Sequence, residues 1–260
     1  MPSDSPAIET RQLVKQFDDK RAVDGLDLRV ESGVFFGLLG PNGAGKSTTV
    51  GMLTGTSRPS AGQIFLFGQK LDPDDPDFKR QMGVVTEEPP LFERLKGREQ
   101  LLFTGRMYGL AQDEAARRSD ELLDLMQLGP HGSKLIADYS RGMRKKLAIA
   151  CALIHAPRLL FFDEPFEGVD ALSAEAIRLV LEGLTERGAT VLLTTHILEV
   201  AQKICQRVGI IHRGKLVSEL DVVALREEGG DLGELFRAAV GGEHDNRALP
   251  DWLCPGQERP

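Results

Sequence analysis

The stretch from Gly40 to Thr48, with the letters GPNGAGKST, constrains this chain more than any other part of it. It fits the pattern G-x-x-x-x-G-K-[ST], in which glycines allow a turn whose consecutive N–H groups point inward at a phosphate. Lys46 adds a positive charge for the β- and γ-phosphates, and the Ser47 hydroxyl can reach Mg²⁺. The stretch therefore predicts a binding site for a nucleoside triphosphate with Mg²⁺.

The sequence on both sides of this loop supports that prediction. Residues 34–39 form a short apolar run that reads as a buried strand. Residues 48–53 can start a helix whose positive end faces an anion. Strand, glycine loop and helix in this order favour a phosphate site over a glycine-rich turn that matches by coincidence. The predicted nucleotide-binding residues of the loop are Gly40, Pro41, Asn42, Gly43, Ala44, Gly45, Lys46, Ser47 and Thr48.

Composition narrows the class of protein. The chain has 260 residues and a formal net charge of −7. A general nucleic-acid binder is not expected, because there is no excess of Lys and Arg to neutralise phosphates. The 3 cysteines are too few and too scattered for a disulfide framework or a zinc site. We expect Cys151 and Cys205 to be small core residues.

No membrane-spanning or targeting segment is expected. The first ten residues are polar and rich in Pro and Ser, unlike a secretory leader. The longest apolar runs, such as residues 159–162, are far shorter than the roughly 20 residues that cross a bilayer. Any attachment to a membrane is therefore expected to come through a partner.

The order of the predicted elements indicates an α/β fold. Three early segments, 8–17, 23–30 and 64–68, have strand patterns joined by short turns and predict an antiparallel sheet. From about 98 to 156 the pattern is helical. Strands and helices then alternate up to residue 206, which implies parallel strands packed between helices.

The end of the chain is less constrained. Residues 208–217 predict a hairpin, and two short helices are expected between 221 and 240. Residues 241–260 are rich in Gly and Pro and are expected to be mobile or loosely docked. Trp252 and Leu253 could instead pack on the domain or on a partner, and the sequence does not decide between these alternatives.

A second motif bears on the chemistry. The apolar run 159–162 ends in two carboxylates, Asp163 and Glu164. A buried parallel strand would deliver both to the carboxyl edge of the sheet, where ligands bind in such folds. Asp163 can hold Mg²⁺, and Glu164 can polarise an attacking water. The plainer alternative is a solvated strand end that happens to be acidic.

With these motifs the chain resembles the nucleotide-binding subunit of an ATP-binding cassette (ABC) transporter over roughly residues 8–217. The segment 139–143, with the letters YSRGM, stands where the family has its L-S-G-G-Q signature. Leu, the first Gly and Gln are replaced, whereas Ser140 and Gly142 remain. The resemblance implies that two such domains sandwich two ATP molecules head to tail, with Ser140 and Gly142 touching the γ-phosphate held by the opposite copy.

Arg144, Lys145 and Lys146 follow the signature segment in the first turns of a predicted helix. Positive charge at a helix start opposes the helix dipole. A nearby anion would offset that penalty and would fit a nucleotide of the opposite copy. The alternative is a basic turn that is simply solvated.

The resemblance implies roles for four more residues. His196 follows a strand and would contact the γ-phosphate and the water, although a lone His is often structural. Asp170 lies in the segment that crosses the dimer interface. Phe17 would stack on adenine, or else it is a core residue. Glu87 stands where the family has a Gln that binds Mg²⁺, and a carboxylate can still do so.

The implied fold is an α/β P-loop NTPase (RecA-like) core with an antiparallel β subdomain and an inserted α-helical subdomain at about 90–157. This ABC ATPase domain would span 1–220, followed by a helical extension and tail over 221–260. The sites implied are Glu164, His196 and Lys46 for catalysis, and Ser47, Asp163 and Glu87 for the metal.

The implied function is an ATPase that uses ATP and Mg²⁺ to drive separate transmembrane permease subunits from the cytoplasmic face of the membrane. Residues 91–99 and 233–236 resemble the exporter branch that handles drugs, antibiotics or lipids. Two alternatives stay open at this stage: a soluble ABC protein acting on DNA repair or ribosomes, and a regulatory cassette with little turnover.

Overall fold

The computed structural model describes residues 5–241, whose strands form two sheets. The smaller sheet is antiparallel, in the order β2-β1-β4-β5. Its strands are β1 (Ile8–Phe17), β2 (Lys20–Val30), β4 (Ala61–Leu66) and β5 (Gln69–Lys70). This confirms the antiparallel sheet that the early segments predict.

The larger sheet has the order β10-β9-β3-β8-β7-β6 and is parallel except for the edge hairpin β9-β10. Its strands are β3 (Phe35–Leu39), β6 (Met82–Val85), β7 (Leu159–Asp163), β8 (Thr190–Thr195), β9 (Arg207–His212) and β10 (Lys215–Asp221). Strands β3 and β7 both pair with β8, so the phosphate loop after β3 and the carboxylates at the end of β7 emerge at the same edge.

The α-helices of residues 5–241 are α1 (Lys46–Leu53), α2 (Pro76–Gln81), α3 (Gly97–Met107), α4 (Gln112–Leu125), α5 (Arg141–Leu153), α6 (Ala171–Glu186), α7 (Leu198–Ile204), α8 (Val222–Glu227) and α9 (Leu232–Val240). Within this part of the chain, none combines the length and apolar character needed to cross a bilayer. The two short helices predicted after residue 221 are confirmed as α8 and α9.

The core lies on both faces of the larger sheet. Successive side chains of a strand point to opposite faces. Accordingly Phe36 and Phe161 pack toward the smaller sheet and α1, whereas Phe35 and Phe162 pack toward α5 and α6. Because both faces are covered, these strands read as continuous apolar runs. Cys205 is fully buried as expected, and Cys151 is partly buried against the core cluster that contains Phe35 and Phe162.

Three elements were missed by the sequence interpretation, namely the two-residue strand β5, helix α2 and strand β6. Strand β6 is only four residues long and contains Gly83, so its pattern is weak. Its register with β7, in which Met82 lies opposite Leu159, depends on a tertiary pairing. Helix α2 did have a local signal, since Asp75 caps it and Pro76 takes its first position.

Two expectations from the sequence stay predictions. The domain boundaries, with a helical insertion at about 90–157, stay a prediction. The expectation for the tail, including the alternatives for Trp252 and Leu253, falls on residues 242–260, which lie outside the described part.

Candidate nucleotide-binding site

The glycine loop joins β3 to α1, and neighbouring strands fix its shape. A Cβ on Gly40 would lie 2.3 Å from the Ile211 carbonyl oxygen, and one on Gly45 would lie 2.4 Å from that of Ala22. Gly45 also has a φ of +110°, a conformation that side chains disfavour. The loop can therefore keep this path only with glycine at both positions.

Lys46 is the first residue of α1, and its side chain is only 6% exposed. Its ammonium donates a hydrogen bond to the Gly40 carbonyl at 2.8 Å and lies 3.5 Å from Oε1 of Glu164. The lysine thus folds over the loop from which N–H groups can hold a phosphate.

Asp163 lies at the end of β7 and is held by two hydroxyl groups. Its Oδ1 accepts hydrogen bonds from Ser47, at 3.2 Å, and from Thr194 of the neighbouring strand. The parallel register places Asp163 opposite Thr194, which explains the second contact. Ser47 and Asp163 together form a set of hard oxygen ligands, and this set fits Mg²⁺.

Glu164 has an unusual backbone and an unsatisfied oxygen. Its φ is +47°, a left-handed conformation that is rare for a residue with a side chain. Its N–H donates to the Thr194 carbonyl and hydroxyl oxygens, both at 3.2 Å. Oε1 lies 3.0 Å from Nδ1 of His196, whereas the buried Oε2 has no hydrogen-bond partner among the described residues. Such an orphaned carboxylate oxygen fits a site that receives a polar ligand.

Lys46, Ser47, Glu164 and His196 line one cleft of about 510 Å³, whereas Asp163 is not in its wall and adjoins it through the hydrogen bond from Ser47. Its lining residues come from the smaller sheet, the glycine loop, the end of β6 and the edge of the larger sheet: Phe17, Lys20, Ala22, Asn42, Gly43, Gly45, Lys46, Ser47, Thr48, Glu87, Glu164, Glu167 and His196. Sequence reasoning missed Lys20, Ala22 and Glu167. Glu167 follows Glu164 by three residues, and this second acid close to Glu164 was the available signal.

Phe17 lies at the wall of this cleft and is 51% exposed. The alternative that Phe17 is a core residue is therefore wrong. The ammonium of Lys15 stands 5.0 Å from the centre of its ring. An exposed aromatic ring at the edge of a phosphate-binding cleft can stack on a base.

A second group of carboxylate and imidazole atoms lies in the cleft. One ligand atom each of Glu164, Glu167 and His196 falls within 4.8 Å of the others. Lys46 stands beside Glu164, and its charge opposes a cation at that point. The pair Ser47 and Asp163 is therefore the better candidate for a metal ion.

Ser140, Gly142 and Asp170 come together outside the cleft. Ser140 caps α5 by accepting a hydrogen bond from the Met143 N–H at 3.2 Å. Asp170 caps α6 by accepting from the Ser173 N–H at 2.9 Å, and this bond lowers the pKa of the carboxyl. A Cβ on Gly142 would lie 2.9 Å from the Asp170 carboxylate, so the two helix starts touch. Their role toward an opposite copy stays a prediction.

Three residues of the glycine loop do not line the cleft. Gly40 and Ala44 are buried beneath it, and Pro41 is partly buried. Their part is to shape the loop: the Pro41 carbonyl accepts the Ala44 N–H at 3.1 Å.

The basic turn after the signature segment is not solvated. Lys145 is 2% exposed and Lys146 is 7% exposed, so that alternative is wrong. Arg144 pairs with Glu93 at 2.7 Å. Lys145 donates to backbone carbonyls of the same chain, at Glu87 and Thr86. The charge of Lys145 is thus compensated by carbonyl groups of its own chain, and not by a nucleotide of the opposite copy as the sequence suggested.

Comparison with known proteins agrees with the nucleotide site that the geometry indicates. The family model described as ABC transporter matches residues 23–167. The daunorubicin/doxorubicin resistance ATP-binding protein DrrA of Streptomyces peucetius is 40% identical over 213 residues, which are 82% of this chain and 64% of DrrA. The chain therefore spans less than two thirds of that relative.

Two further relatives are covered more fully. The bacitracin transport ATP-binding protein BcrA of Bacillus licheniformis is 37% identical, over 83% of this chain and 70% of BcrA. The Nod factor export ATP-binding protein I of Burkholderia thailandensis is 39% identical, over 97% of this chain and 82% of its own length.

Solved structures agree in fold. An ATP-binding subunit of an ABC transporter, 32% identical, superposes with a TM-score of 0.81 over 90% of this chain and 99% of its own. A dimeric ATP-binding cassette bound to ADP and Pi, 23% identical, gives a TM-score of 0.75 over 83% of this chain and 98% of its own.

Proposed function

The chain belongs to the ABC transporter family as an ATP-binding subunit, and from that premise we propose that it hydrolyses ATP to drive membrane permease subunits in export. The observation that carries the proposal is the meeting of Lys46, Glu164 and His196 in one cleft with the glycine loop. These groups lie far apart in the sequence and are the parts that phosphoryl transfer to water requires.

The nucleotide would bind with its phosphates on the loop from Gly40 to Thr48 and its adenine on Phe17. Lys46 neutralises the outer phosphates, and the N–H groups at the start of α1 add partial positive charge. Because Phe17 is half exposed, stacking can bury its free surface.

Ser47, Asp163 and Glu87 are the proposed residues for Mg²⁺. When bound, Mg²⁺ would supply charge neutralisation at the phosphate oxygens. The hydroxyl of Thr194 fixes the orientation of the Asp163 carboxylate. Glu87 lines the same cleft from the turn after β6.

Glu164 is the proposed base that orients the attacking water. Oε1 is already engaged by His196 and Lys46, whereas the buried Oε2 is left to accept a hydrogen bond from water. His196 holds the carboxylate in place and can contact the γ-phosphate. Orientation by such a base contributes about 10²–10⁴ in rate.

Two copies are proposed to close around the nucleotides head to tail. Ser140 and Gly142 lie at the start of α5 and Asp170 at the start of α6, and none of the three lines the copy's own cleft. Their N–H groups and hydroxyl would complete the site of the opposite copy. The assembly would be a homodimer or a heterodimer.

Separate permease subunits are the proposed membrane partners, and they would hold the chain at the cytoplasmic face. An apolar patch supports this: Phe92, Phe103 and Met107 are 54%, 44% and 71% exposed, with the two rings 5.4 Å apart. Exposed apolar groups that cluster mark interaction surfaces. The relatives are named for daunorubicin/doxorubicin resistance, bacitracin transport and Nod factor export, and compounds of these kinds are the proposed cargo.

A regulatory cassette with little turnover is the second candidate. One observation favours it: the Glu87 side chain lines the cleft. Its negative charge would repel a triphosphate, whereas the neutral amide of a Gln would not. Phosphate release by the purified chain, with Mg²⁺ and with EDTA, separates the two: turnover that requires Mg²⁺ supports the ATPase, and binding without turnover supports the regulator. Capture of a multi-spanning protein from detergent-solubilised membranes, identified by mass spectrometry, tests the permease.

A further inference from the structure

Lys145 connects two parts of the molecule that the proposed mechanism treats separately. It lies near the start of α5, one turn after Ser140, and is 2% exposed. Its ammonium donates to the Glu87 carbonyl oxygen at 2.8 Å and approaches that of Thr86 at 3.4 Å. The lysine therefore ties α5 to the turn that follows β6.

A buried ammonium at this place is unfavourable without compensation. Burial lowers the pKa of Lys145, and the nearby Arg141 lowers it further, while Glu87, Asp163 and Glu167 act in the opposite direction. The start of a helix also repels a cation. Three carboxylates and two carbonyls thus offset the cost of holding this charge beneath the cleft.

The turn held by Lys145 carries Glu87 into the cleft. Val85 ends β6, and Thr86 closes the turn by donating to the Glu88 carbonyl at 2.8 Å. Glu87 is exposed at the cleft wall while its carbonyl is fixed by Lys145. Loss of that bond would free the backbone that places the Glu87 carboxylate.

We propose that Lys145 is a positioning residue that locks the Thr86–Glu87 turn to α5 and so sets the place of the Glu87 carboxylate in the cleft. The proposal rests on the proposed function, because it gives Glu87 a role with Mg²⁺. The same contact couples α5, which begins after Ser140, to the turn, so that a displacement of α5 would also displace the turn. Outer partners that orient metal ligands typically matter 10–100-fold in metal affinity or activity.

Four variants test it: Lys145→Met, Lys145→Arg, Lys146→Met and Glu87→Ala. Lys145→Met keeps the length and removes the donor and charge, whereas Lys145→Arg keeps both. Lys146→Met is the matched control, because Lys146 is also buried on α5 and, among the described residues, has no hydrogen bond to the turn. Should Lys145→Met not fold, Lys145→Ala, which also removes the donor and the charge, takes its place with the same expected results.

The first measurement is hydrogen–deuterium exchange on the nucleotide-free chain, which does not depend on turnover. We expect peptides covering 85–91 to exchange at least about tenfold faster in Lys145→Met and at the wild-type rate in Lys145→Arg and Lys146→Met. Equal exchange in Lys145→Met and wild type would overturn the lock, whatever the ATPase result.

The second measurement is the Mg²⁺ concentration for half-maximal ATP hydrolysis. We expect it to rise about tenfold in Lys145→Met and less than about twofold in Lys146→Met. In the Glu87→Ala background, Lys145→Met should add less than about twofold, since residues acting through one another are not additive. Full additivity would show that Lys145 does not act through Glu87. If the wild-type chain does not hydrolyse ATP, the proposed function is contradicted. The exchange measurement alone then decides whether Lys145 holds the Thr86–Glu87 turn.

Discussion

The ammonium of Lys46 lies 3.5 Å from the carboxylate of Glu164, and both side chains are almost buried, at 6% and 8% exposure. Removing one partner of a buried ion pair leaves an uncompensated charge. Lys46 also donates to Gly40 at 2.8 Å, so its charge is shared between the loop and the proposed base. A γ-phosphate entering the cleft would draw Lys46 away and leave Glu164 free to engage water.

Glu164→Gln should abolish steady turnover while ATP still binds. The amide keeps the shape of the side chain but cannot accept a proton, so phosphate release is expected to fall at least about 100-fold. Nucleotide binding and dimer formation are measured by fluorescence and light scattering, with MgATP present. Glu167→Gln, the same change at another carboxylate of the cleft, should lose less than about tenfold; an equal loss in both variants would contradict the role of Glu164.

Thr194→Val should impair the site through Asp163 and Glu164. Thr194 donates to Asp163 and accepts the N–H of Glu164, so both carboxylates lose orientation. We expect turnover to fall by about 10–100-fold and the free energy of unfolding by about 1–3 kcal/mol. Thr195→Val is the control, because Thr195 is equally buried but its hydroxyl accepts the Ile197 N–H. Similar turnover in both variants would argue against positioning by Thr194.

Phe17→Ala should weaken ATP binding without weakening the fold. Stacking on a base contributes about 1–3 kcal/mol, so the KM for ATP is expected to rise about tenfold with kcat nearly unchanged. Since Phe17 is 51% exposed, the melting temperature should stay at the wild-type value. Phe17→Tyr should restore the KM. An unchanged KM in Phe17→Ala would place the base elsewhere.

Glu87→Gln should keep ATP hydrolysis within about tenfold of wild type, since an amide oxygen can also serve as a hard ligand. Initial rates over a range of Mg²⁺ concentrations check this. Complete loss of activity would show that the carboxylate of Glu87 has a dedicated task that an amide cannot perform.

Gly45→Ala should destabilise the protein more than Gly43→Ala. Both glycines have positive φ, and an added Cβ costs about 1 kcal/mol for that reason. On Gly43 the Cβ would meet nothing within 4 Å, whereas on Gly45 it would lie 2.4 Å from the Ala22 carbonyl. The overpacking adds about 1–3 kcal/mol. Denaturant midpoints measure the difference, and equal midpoints would contradict the crowding.

Local patterns were sufficient for several parts of the molecule. The phosphate loop, the carboxylates at 163–164 and most strands and helices follow from residues close together in the chain. Strand β6 was missed because four residues with a glycine give little periodicity, and its identity comes from pairing with β7. Lys145 was misjudged because the helix dipole is a local rule, while its partners at Thr86 and Glu87 come from another element.

What the sequence determined by itself is the chemistry available at each place: a glycine loop that can bind phosphate, a lysine and a serine beside it, and acids at the end of an apolar strand. Only the tertiary structure decided that Lys46 meets Glu164, that Phe17 is at the cleft rather than in the core, and that Lys145 is buried against the turn at Glu87. The physical reason is that residue type and spacing are fixed covalently, whereas contacts between distant segments depend on the strand order and register of the larger sheet.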